Sequence, residues 1–273
     1  MTPSKPDIPR KHRPRGLEIL HADRDLFVVN KHTGVLTTAT RNDESFTAEN
    51  VLNNYVRKGC ASSRNRVYLV HRIDRETSGV LLFARNELAQ QRLKDDWKST
   101  EKLYLAAVHG HLKEKCGVFS SYLAQNEDLH VFSVSDPAQG RLSHTAYVVI
   151  KETPTLSIVK IKLLTGRKHQ IRAHFAEHGH PVVGDPRYSR KDPFRERLCL
   201  HAKSIAFNHP YHGRRLFIDT PIPTVFKQLA KGLDESDWQA APAASAGADP
   251  DVWANAPGAV EPDPEGGWGS ERE

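Results

Sequence analysis

The chain has few cysteines and no long apolar segment. Its 273 residues include three cysteines, Cys60, Cys116 and Cys199, whose wide spacing fits neither a disulfide framework nor a metal site. No stretch approaches the roughly 18 apolar residues of a membrane span, and the N-terminus lacks the apolar core of a signal peptide. We therefore expect a globular protein of the reducing cytoplasm, without a membrane partner.

Acidic residues are scarce outside the C-terminal segment. The chain has 39 lysines and arginines against 33 aspartates and glutamates, but ten of the acids and a single arginine lie in residues 234–273. Positions 1–233 therefore carry 38 basic and 23 acidic residues. This balance favours a polyanionic partner, because phosphate neutralisation supplies most sequence-independent affinity for nucleic acid. By itself, the charge fits a merely soluble basic protein equally well.

Composition divides the chain into three parts. Residues 1–16 combine lysine and arginine with four prolines, which predicts a flexible basic arm. Residues 17–233 carry the periodic apolar patterns of a folded body. Residues 234–273 are rich in alanine, proline, glycine and acid, and their three tryptophans follow no helical or strand period. We predict that this whole segment is a disordered acidic tail.

Strands outnumber helices and follow one another as hairpins, without βαβ alternation. Examples are the apolar and β-branched runs at residues 17–21 and 26–31, and those at residues 143–150 and 156–164. A helix is predicted at residues 168–178. This order indicates an α+β domain built on a largely antiparallel sheet.

One charged turn separates two apolar segments. Residues 66–70 and 79–84 are mostly β-branched, aromatic or aliphatic and predict two strands, with polar sequence between them. Asp74 lies in this turn between Arg72 and Arg75, whose positive charge favours its ionised form. An ionised carboxylate at a strand end can act as a nucleophile. For an isolated aspartate between two arginines, a solvated surface loop is the simpler interpretation.

A second polar segment changes that interpretation. Residues 165–172 read Thr-Gly-Arg-Lys-His-Gln-Ile-Arg, and residues 179–185 read Gly-His-Pro-Val-Val-Gly-Asp. Together with the turn at residues 71–79, His-Arg-Ile-Asp-Arg-Glu-Thr-Ser-Gly, they resemble the motifs of the RluA-type pseudouridine synthases, in the same order. The similarity covers most of residues 17–230. Proline is common in the family at two positions of this chain, His32 and Leu163.

The resemblance implies the pseudouridine synthase fold, with one mixed sheet split by a catalytic cleft and flanked by helices. It implies an RNA pseudouridine synthase that acts on ribosomal or transfer RNA without a cofactor or metal, and we expect a monomer. Many relatives carry an N-terminal S4-type RNA-binding domain, for which the sixteen residues before Leu17 are too few. Substrate contacts are therefore expected from the catalytic body and the basic arm.

The resemblance also implies roles for individual residues. Asp74 is the nucleophile, attacking either C1′ of the ribose or C6 of the base, and the sequence leaves both open. Arg172 pairs with this aspartate and keeps it ionised, while Tyr104 stacks on the uracil. Arg72 enters the space that the flipped base vacates. Further substrate contacts are expected from Arg75, Thr77, Arg167, Lys168 and His169.

Other functions are compatible with parts of the sequence. His174, Glu177 and His178 match the H-x-x-E-H pattern of inverted zinc proteases, but three fixed positions make a weak signal, and we predict no metal. A glycosidase normally needs two carboxylates across the bond, and only Glu76 is close to Asp74 in sequence. A non-catalytic RNA-binding protein explains the basic body, but has no use for a buried carboxylate that faces RNA.

Overall fold

The computed structural model describes residues 14–39, 46–58, 60 and 62–239. The predicted basic arm up to residue 13 and the predicted tail from residue 240 lie outside the described residues. The strands are β1 (Leu17–Ala22), β2 (Leu26–Lys31), β3 (Tyr68–Leu69), β4 (Ser78–Ala84), β5 (Glu101–His109), β6 (Cys116–Gln125), β7 (Val131–Val134), β8 (Arg141–Glu152), β9 (Leu156–Leu163), β10 (Leu200–Asn208) and β11 (Arg215–Asp219). The helices are α1 (Ala48–Arg57), α2 (Glu87–Asp95), α3 (Gln170–Glu177), α4 (Thr224–Leu229) and α5 (Glu235–Gln239). Within these ranges, no helix is long and apolar enough to cross a membrane.

The described chain divides into two compact units. The first comprises residues 14–102 and 202–220, and the second comprises residues 103–201 and 221–239. Strands outnumber helices and pair mainly as antiparallel neighbours, so the predicted α+β class is confirmed. The division itself was not predicted, because contacts between segments that are distant in sequence leave no local pattern.

The first unit is built on a mainly antiparallel set of strands. β1 pairs with β2 and β2 with β4, while β10 lies beside β4 and carries β11 on its other side. All seven residues of β4 are buried, as expected of a central strand with apolar neighbours on both faces. Side chains of β2, β4, β10 and α2 form one core that includes Leu26, Leu82 and Phe207. Burial of each such side chain stabilises the unit by roughly 1.5–3 kcal/mol.

β4 and β10 approach each other closely at Gly79. This glycine has a φ of 116°, a conformation that side chains rarely tolerate. A Cβ atom here would lie 2.2 Å from the carbonyl oxygen and 2.6 Å from the nitrogen of Ala202. The close backbone approach therefore requires the glycine that follows Thr77 and Ser78.

Gly79→Ala is expected to destabilise the protein by more than about 2 kcal/mol, because backbone strain and a clash with Ala202 act together. Gly34→Ala is the matched control. Gly34 also has a positive φ, 83°, but a Cβ there would meet nothing within 4 Å, so only the conformational cost of about 1–2 kcal/mol applies. Denaturant unfolding measures both, and equal losses would contradict the close approach.

The strands of the second unit pair as antiparallel neighbours in the order β5-β9-β8-β6-β7. Helix α3 packs against β7 and β8. The core on the β5 and β9 side includes Leu105 and Ile158, which pack with Phe226 of α4. These contacts fix α3 and the segments on either side of it relative to the sheet.

The described part of the second unit ends with a short helix, α5, that the sequence did not predict. Trp238 of α5 is only 6% exposed and packs in the same core as Phe226. Lys160 of β9 lies 4.8 Å from its ring centre and donates to its carbonyl oxygen. The predicted disordered tail is therefore wrong for its first six residues, because burial of one large aromatic side chain offsets the cost of ordering a short segment.

Candidate active site

Asp74 lies in the loop between β3 and β4 of the first unit. Its side chain is partly exposed, and Arg72 and Arg75 on either side are exposed. Thr77 is almost completely buried, and its amide donates to the carbonyl oxygen of Asp74 at 3.2 Å. The loop thus presents the carboxylate and two predicted substrate contacts at the surface, whereas Thr77 supports the turn from within.

The backbone of this loop is held by Lys31 at the end of β2, by the segment that follows β2 and by the loop's own Thr77. Four consecutive carbonyl oxygens, from Ile73 to Glu76, accept hydrogen bonds. The donors are the Thr37 hydroxyl at 2.7 Å, the Thr77 amide at 3.2 Å, the Gly34 amide at 2.8 Å with Lys31 Nζ at 3.1 Å, and the Thr33 hydroxyl at 2.7 Å. Because all four carbonyl oxygens are hydrogen-bonded, the backbone that carries the Asp74 carboxylate is held in one geometry, as a catalytic group requires.

Lys31 is the most deeply buried of these donors. It is fully buried, and its Nζ also donates to the carbonyl oxygen of Val35 at 2.7 Å and to that of His32 at 3.2 Å. Sequence reasoning assigned Lys31 no role, although it lies within residues 17–230, most of which the family resemblance covers. The available signal was a lysine at the end of a strand whose first four residues are apolar.

His71 supports the loop from the core. Burial, with the charge of Lys102 as a second cause, lowers the pKa of His71 to about 3. Its Nε2 therefore accepts the amide of Leu82 at 3.1 Å as a neutral imidazole, and its ring packs on Trp97 with 5.1 Å between centroids. Trp97 itself is partly buried and packs against the core of the first unit.

In the second unit, Arg172 forms a buried ion pair with Asp185. Arg172 Nε lies 2.7 Å from Oδ2 and Nη2 lies 2.9 Å from Oδ1, a bidentate arrangement between side chains that are almost inaccessible to solvent. Burial alone would raise the pKa of Asp185, but hydrogen bonding and the charge of Arg172 outweigh it and lower that pKa. The sequence predicted Asp74 as the partner of Arg172, and that pairing stays a prediction because the two residues belong to different units.

The turn before α3 carries three predicted substrate contacts. The helix begins at Gln170 rather than at residue 168, because His169 has a left-handed conformation with φ of 51°. Gln170 organises the turn, since its Oε1 accepts the Arg167 amide at 3.0 Å and the Thr165 hydroxyl at 2.8 Å. Lys168 is exposed, and Arg167 and His169 are partly exposed. Sequence reasoning gave no role to Gln170, the residue that holds them.

Tyr104 lies on β5 opposite Ile161 of β9 and is 8% exposed. A tyrosine this buried contributes to the core of the second unit. Its stacking role stays a prediction.

The zinc-protease pattern has another explanation in the structure. Hydrogen bonds occupy both ring nitrogens of His174, with Nδ1 at 2.8 Å from Thr145 Oγ1 and Nε2 at 3.0 Å from Ser121 Oγ. Glu177 accepts from the Ser133 hydroxyl, and the ring of His178 stacks on Phe119. Thr145 in turn accepts from Gln170 at 2.9 Å, so His174 belongs to the network that holds the turn before α3.

Another cluster has the composition of a cation site. Ligand atoms of Asp23, Asp25 and His209 in the first unit lie within 4.8 Å of one another. However, Asp23 Oδ1 already accepts the amides of Asp25 and Leu26, and Oδ2 lies 2.8 Å from His21 Nε2 and 3.3 Å from His209 Nε2. These contacts account for the cluster as a support for the turn between β1 and β2.

Acidification is expected to destabilise the protein through His71 and His174. Burial lowers the pKa of His174 to about 4, with the charges of His178 and His144 adding to the effect. Unfolded histidines, with pKa values near 6.5, take up protons first as the pH falls. Stability from each is therefore full above about pH 6.5 and declines towards the folded pKa values, by about 2 kcal/mol per histidine at pH 5.

Denaturant unfolding of the wild type and of His174→Gln at pH 7.5 and 5 tests this expectation. Glutamine cannot take up a proton in this range, so the variant should lose about 2 kcal/mol less on acidification. The same loss in both proteins would show that His174 is not kept neutral by the fold.

Residues 25–177 match the family model described as RNA pseudouridylate synthase. An uncharacterised RNA pseudouridine synthase of Mycoplasma genitalium is 32% identical over 227 residues, which cover 81% of this chain and 71% of that protein. Ribosomal large subunit pseudouridine synthase C of Vibrio vulnificus is 36% identical over 177 residues, covering 62% of this chain and 56% of that protein. The solved structure of human RNA pseudouridylate synthase domain containing 4 has a TM-score of 0.64 and 22% identity, covering 76% of this chain and 89% of that chain. The fold implied by the resemblance is confirmed.

Proposed function

The chain belongs to the RNA pseudouridylate synthase family, and on this basis we propose that it modifies a uridine of large-subunit ribosomal RNA. The protein is an RNA pseudouridine synthase, hence an isomerase, and the glycosidase and the non-catalytic binder are set aside. The ribosomal target is supported by the name of the Vibrio relative, of which this chain covers 56%. Transfer RNA is the alternative target.

The reaction exchanges one bond to the ribose for another. The bond between N1 of uracil and C1′ breaks, the base rotates, and a bond between C5 and C1′ forms. C5 loses a proton and N1 gains one, so the composition of the nucleotide is unchanged. Neither C1′ nor the face of the uracil is accessible inside a stacked helix, so the target base must be flipped out at a cost of a few kcal/mol. Exposed Arg72, next to the catalytic loop, would offset part of this cost by filling the vacated space.

The tethered loop around Asp74 is the observation that carries the proposed mechanism. Asp74 attacks C1′ of the ribose or C6 of the base, and its fixed backbone favours either attack by limiting the conformations that must be searched. Arg172, held by Asp185, would supply the positive charge that keeps Asp74 ionised when the base excludes water. Tyr104 would stack on the uracil, a contact worth about 1–3 kcal/mol.

Pseudouridine mapping tests this proposal. RNA from cells with and without the protein is mapped, and purified protein is incubated with large-subunit ribosomal RNA and with transfer RNA. We expect one or more new pseudouridines in the ribosomal RNA and no change in its mass. Pseudouridine found only in transfer RNA would make transfer RNA the target instead of ribosomal RNA. Release of free uracil would overturn the isomerase mechanism.

The purified protein should keep its activity in EDTA, because no step of the proposed reaction uses a metal or another cofactor. Loss of activity in EDTA that zinc restores would contradict this expectation.

A ribosomal target also leads us to propose a cytoplasmic protein that acts as a monomer. Cell fractionation and sedimentation of the purified protein test these two points.

A further inference from the structure

The loop between α3 and β10, residues 186–197, is rich in exposed cations. Arg190, Lys191 and Arg195 are exposed, and none of the three forms an ion pair within the described residues. By contrast, several exposed cations elsewhere, such as Arg66, pair with a carboxylate. Glu196 is the one exposed acid of this loop. We call residues 186–197 the basic loop.

The basic loop is held in shape by a buried carboxylate. Asp192 is 4% exposed, and its Oδ2 accepts the Gly184 amide at 2.6 Å and lies 2.7 Å from His109 Nε2. Its Oδ1 accepts the Phe194 amide at 2.8 Å. The exposed cations on either side of Asp192 therefore sit on an ordered backbone, which lowers the entropy cost of binding a ligand.

The basic loop starts directly after Asp185, the partner of the predicted catalytic Arg172. Asp185, the partner of Arg172, accepts the amide of Tyr188 at 3.0 Å. The guanidinium of Arg172 lies over the Tyr188 ring at 5.3 Å, and His130 stacks on Tyr188 with 4.7 Å between ring centres. His169 Nδ1 lies 3.3 Å from the Tyr188 hydroxyl. One aromatic residue thus joins Arg172, the turn before α3 and the basic loop.

We propose that the basic loop binds the single-stranded nucleotides that flank the target uridine. Its three exposed cations match a phosphate backbone, and the same loop contains the partly exposed Tyr188, whose ring stacks on the partly exposed His130. Cations with neighbouring aromatic rings are typical of grooves that bind single-stranded nucleic acid, because phosphates pair with the charges and bases stack. Flanking nucleotides must be held while the target base leaves the stack. This inference rests on the proposed function, since it concerns the same RNA.

The exposed acids Glu127 and Asp128 limit the extent of this surface. They lie in the turn between β6 and β7, and the carbonyl oxygen of Asp128 accepts from Arg187 at 2.8 Å. Their negative charge disfavours phosphate at that end of the loop. The RNA path is therefore assigned to the side of Arg190, Lys191 and Arg195.

The test replaces all three cations, in Arg190→Gln/Lys191→Gln/Arg195→Gln. The KM for large-subunit ribosomal RNA should rise about 10- to 100-fold at physiological salt, with kcat within about threefold of wild type. The dependence of log Kd on log salt for a short oligouridine should become shallower by about two units, because about 0.7 counterion is released per neutralised phosphate of a single strand.

A charge-matched variant controls for net charge. Lys113→Gln/Lys227→Gln/Lys231→Gln removes three exposed cations of the same unit that lie outside the basic loop, and it should change KM less than about threefold. The single variant Lys191→Gln controls for misfolding of the triple variant, because the Lys191 side chain forms none of the hydrogen bonds that hold the loop. It should retain the wild-type melting temperature and still flatten the salt dependence by about 0.7.

Three results would overturn the inference. These are equal effects of the two triple variants, a loss of kcat with unchanged KM, and an equal loss of affinity for oligouridine and for a fully double-stranded RNA of the same length. Binding of oligouridine is measured whether or not the protein turns over. Failure of the wild type to make pseudouridine would therefore refute the proposed function. The binding role of the basic loop would still be decided by the oligouridine measurements.

Discussion

Asp74→Asn is expected to reduce pseudouridine formation at least about 10³-fold, because an amide cannot act as the nucleophile. Asparagine has nearly the shape of aspartate. The loop is held through backbone carbonyl oxygens by Thr37, Gly34 and other neighbours, so the substitution should not disturb its geometry. RNA affinity should stay within roughly an order of magnitude of wild type, because phosphate contacts supply most of it.

Glu76→Gln is the matched control for Asp74→Asn. Glu76 lies in the same loop two residues later, and its backbone oxygen is held by Thr33 in the same way. Loss of this carboxylate should change turnover less than about threefold, since the proposed reaction uses a single carboxylate. Single-turnover assays with saturating enzyme compare the two. Substantial activity in Asp74→Asn, or equal losses in both variants, would remove Asp74 from the nucleophile role.

Arg172→Ala is expected to destabilise the protein by about 3–5 kcal/mol and to abolish activity, because it leaves Asp185 buried without its countercharge. Arg172→Lys keeps the charge but loses the bidentate geometry, so it should retain more stability than Arg172→Ala and little activity. Chemical unfolding measures the stability of both variants, and single-turnover assays measure their rates.

The double variant Arg172→Met/Asp185→Asn separates the two roles of Arg172. It removes both charges, and the asparagine oxygen can still accept the amides of Arg187 and Tyr188, which Asp185 Oδ1 now accepts. Most of the stability lost in Arg172→Ala should return, whereas activity should not, because the cation proposed to pair with Asp74 would be absent. Recovery of activity with stability would make Arg172 purely structural. Wild-type melting and turnover in Arg172→Ala would place this residue outside the site.

Much of the local structure and the reaction class followed from the order of residues alone. The apolar run after Asp74 forms β4, as predicted, because seven consecutive buried positions leave few alternatives for an apolar segment of strand length. The turn motif around Asp74 and the segment containing Arg172 identified the family, which the comparisons confirm. The periodicity of apolar residues and the order of motif residues are local properties, so both can be read from a single sequence.

Partners that are distant in the chain were decided only by the tertiary structure. Thr33 and Glu76 are 43 residues apart, yet one hydrogen bond joins them, and no local pattern records this contact. Trp238 has the polar surroundings of a disordered tail in sequence, but it is buried because the core beside Phe226 accommodates its ring. Asp185 looked like one residue of a loop motif, and only the fold makes it the bidentate partner of Arg172. Burial and charge pairing depend on which surfaces meet in three dimensions, and that outcome is a property of the whole packed chain.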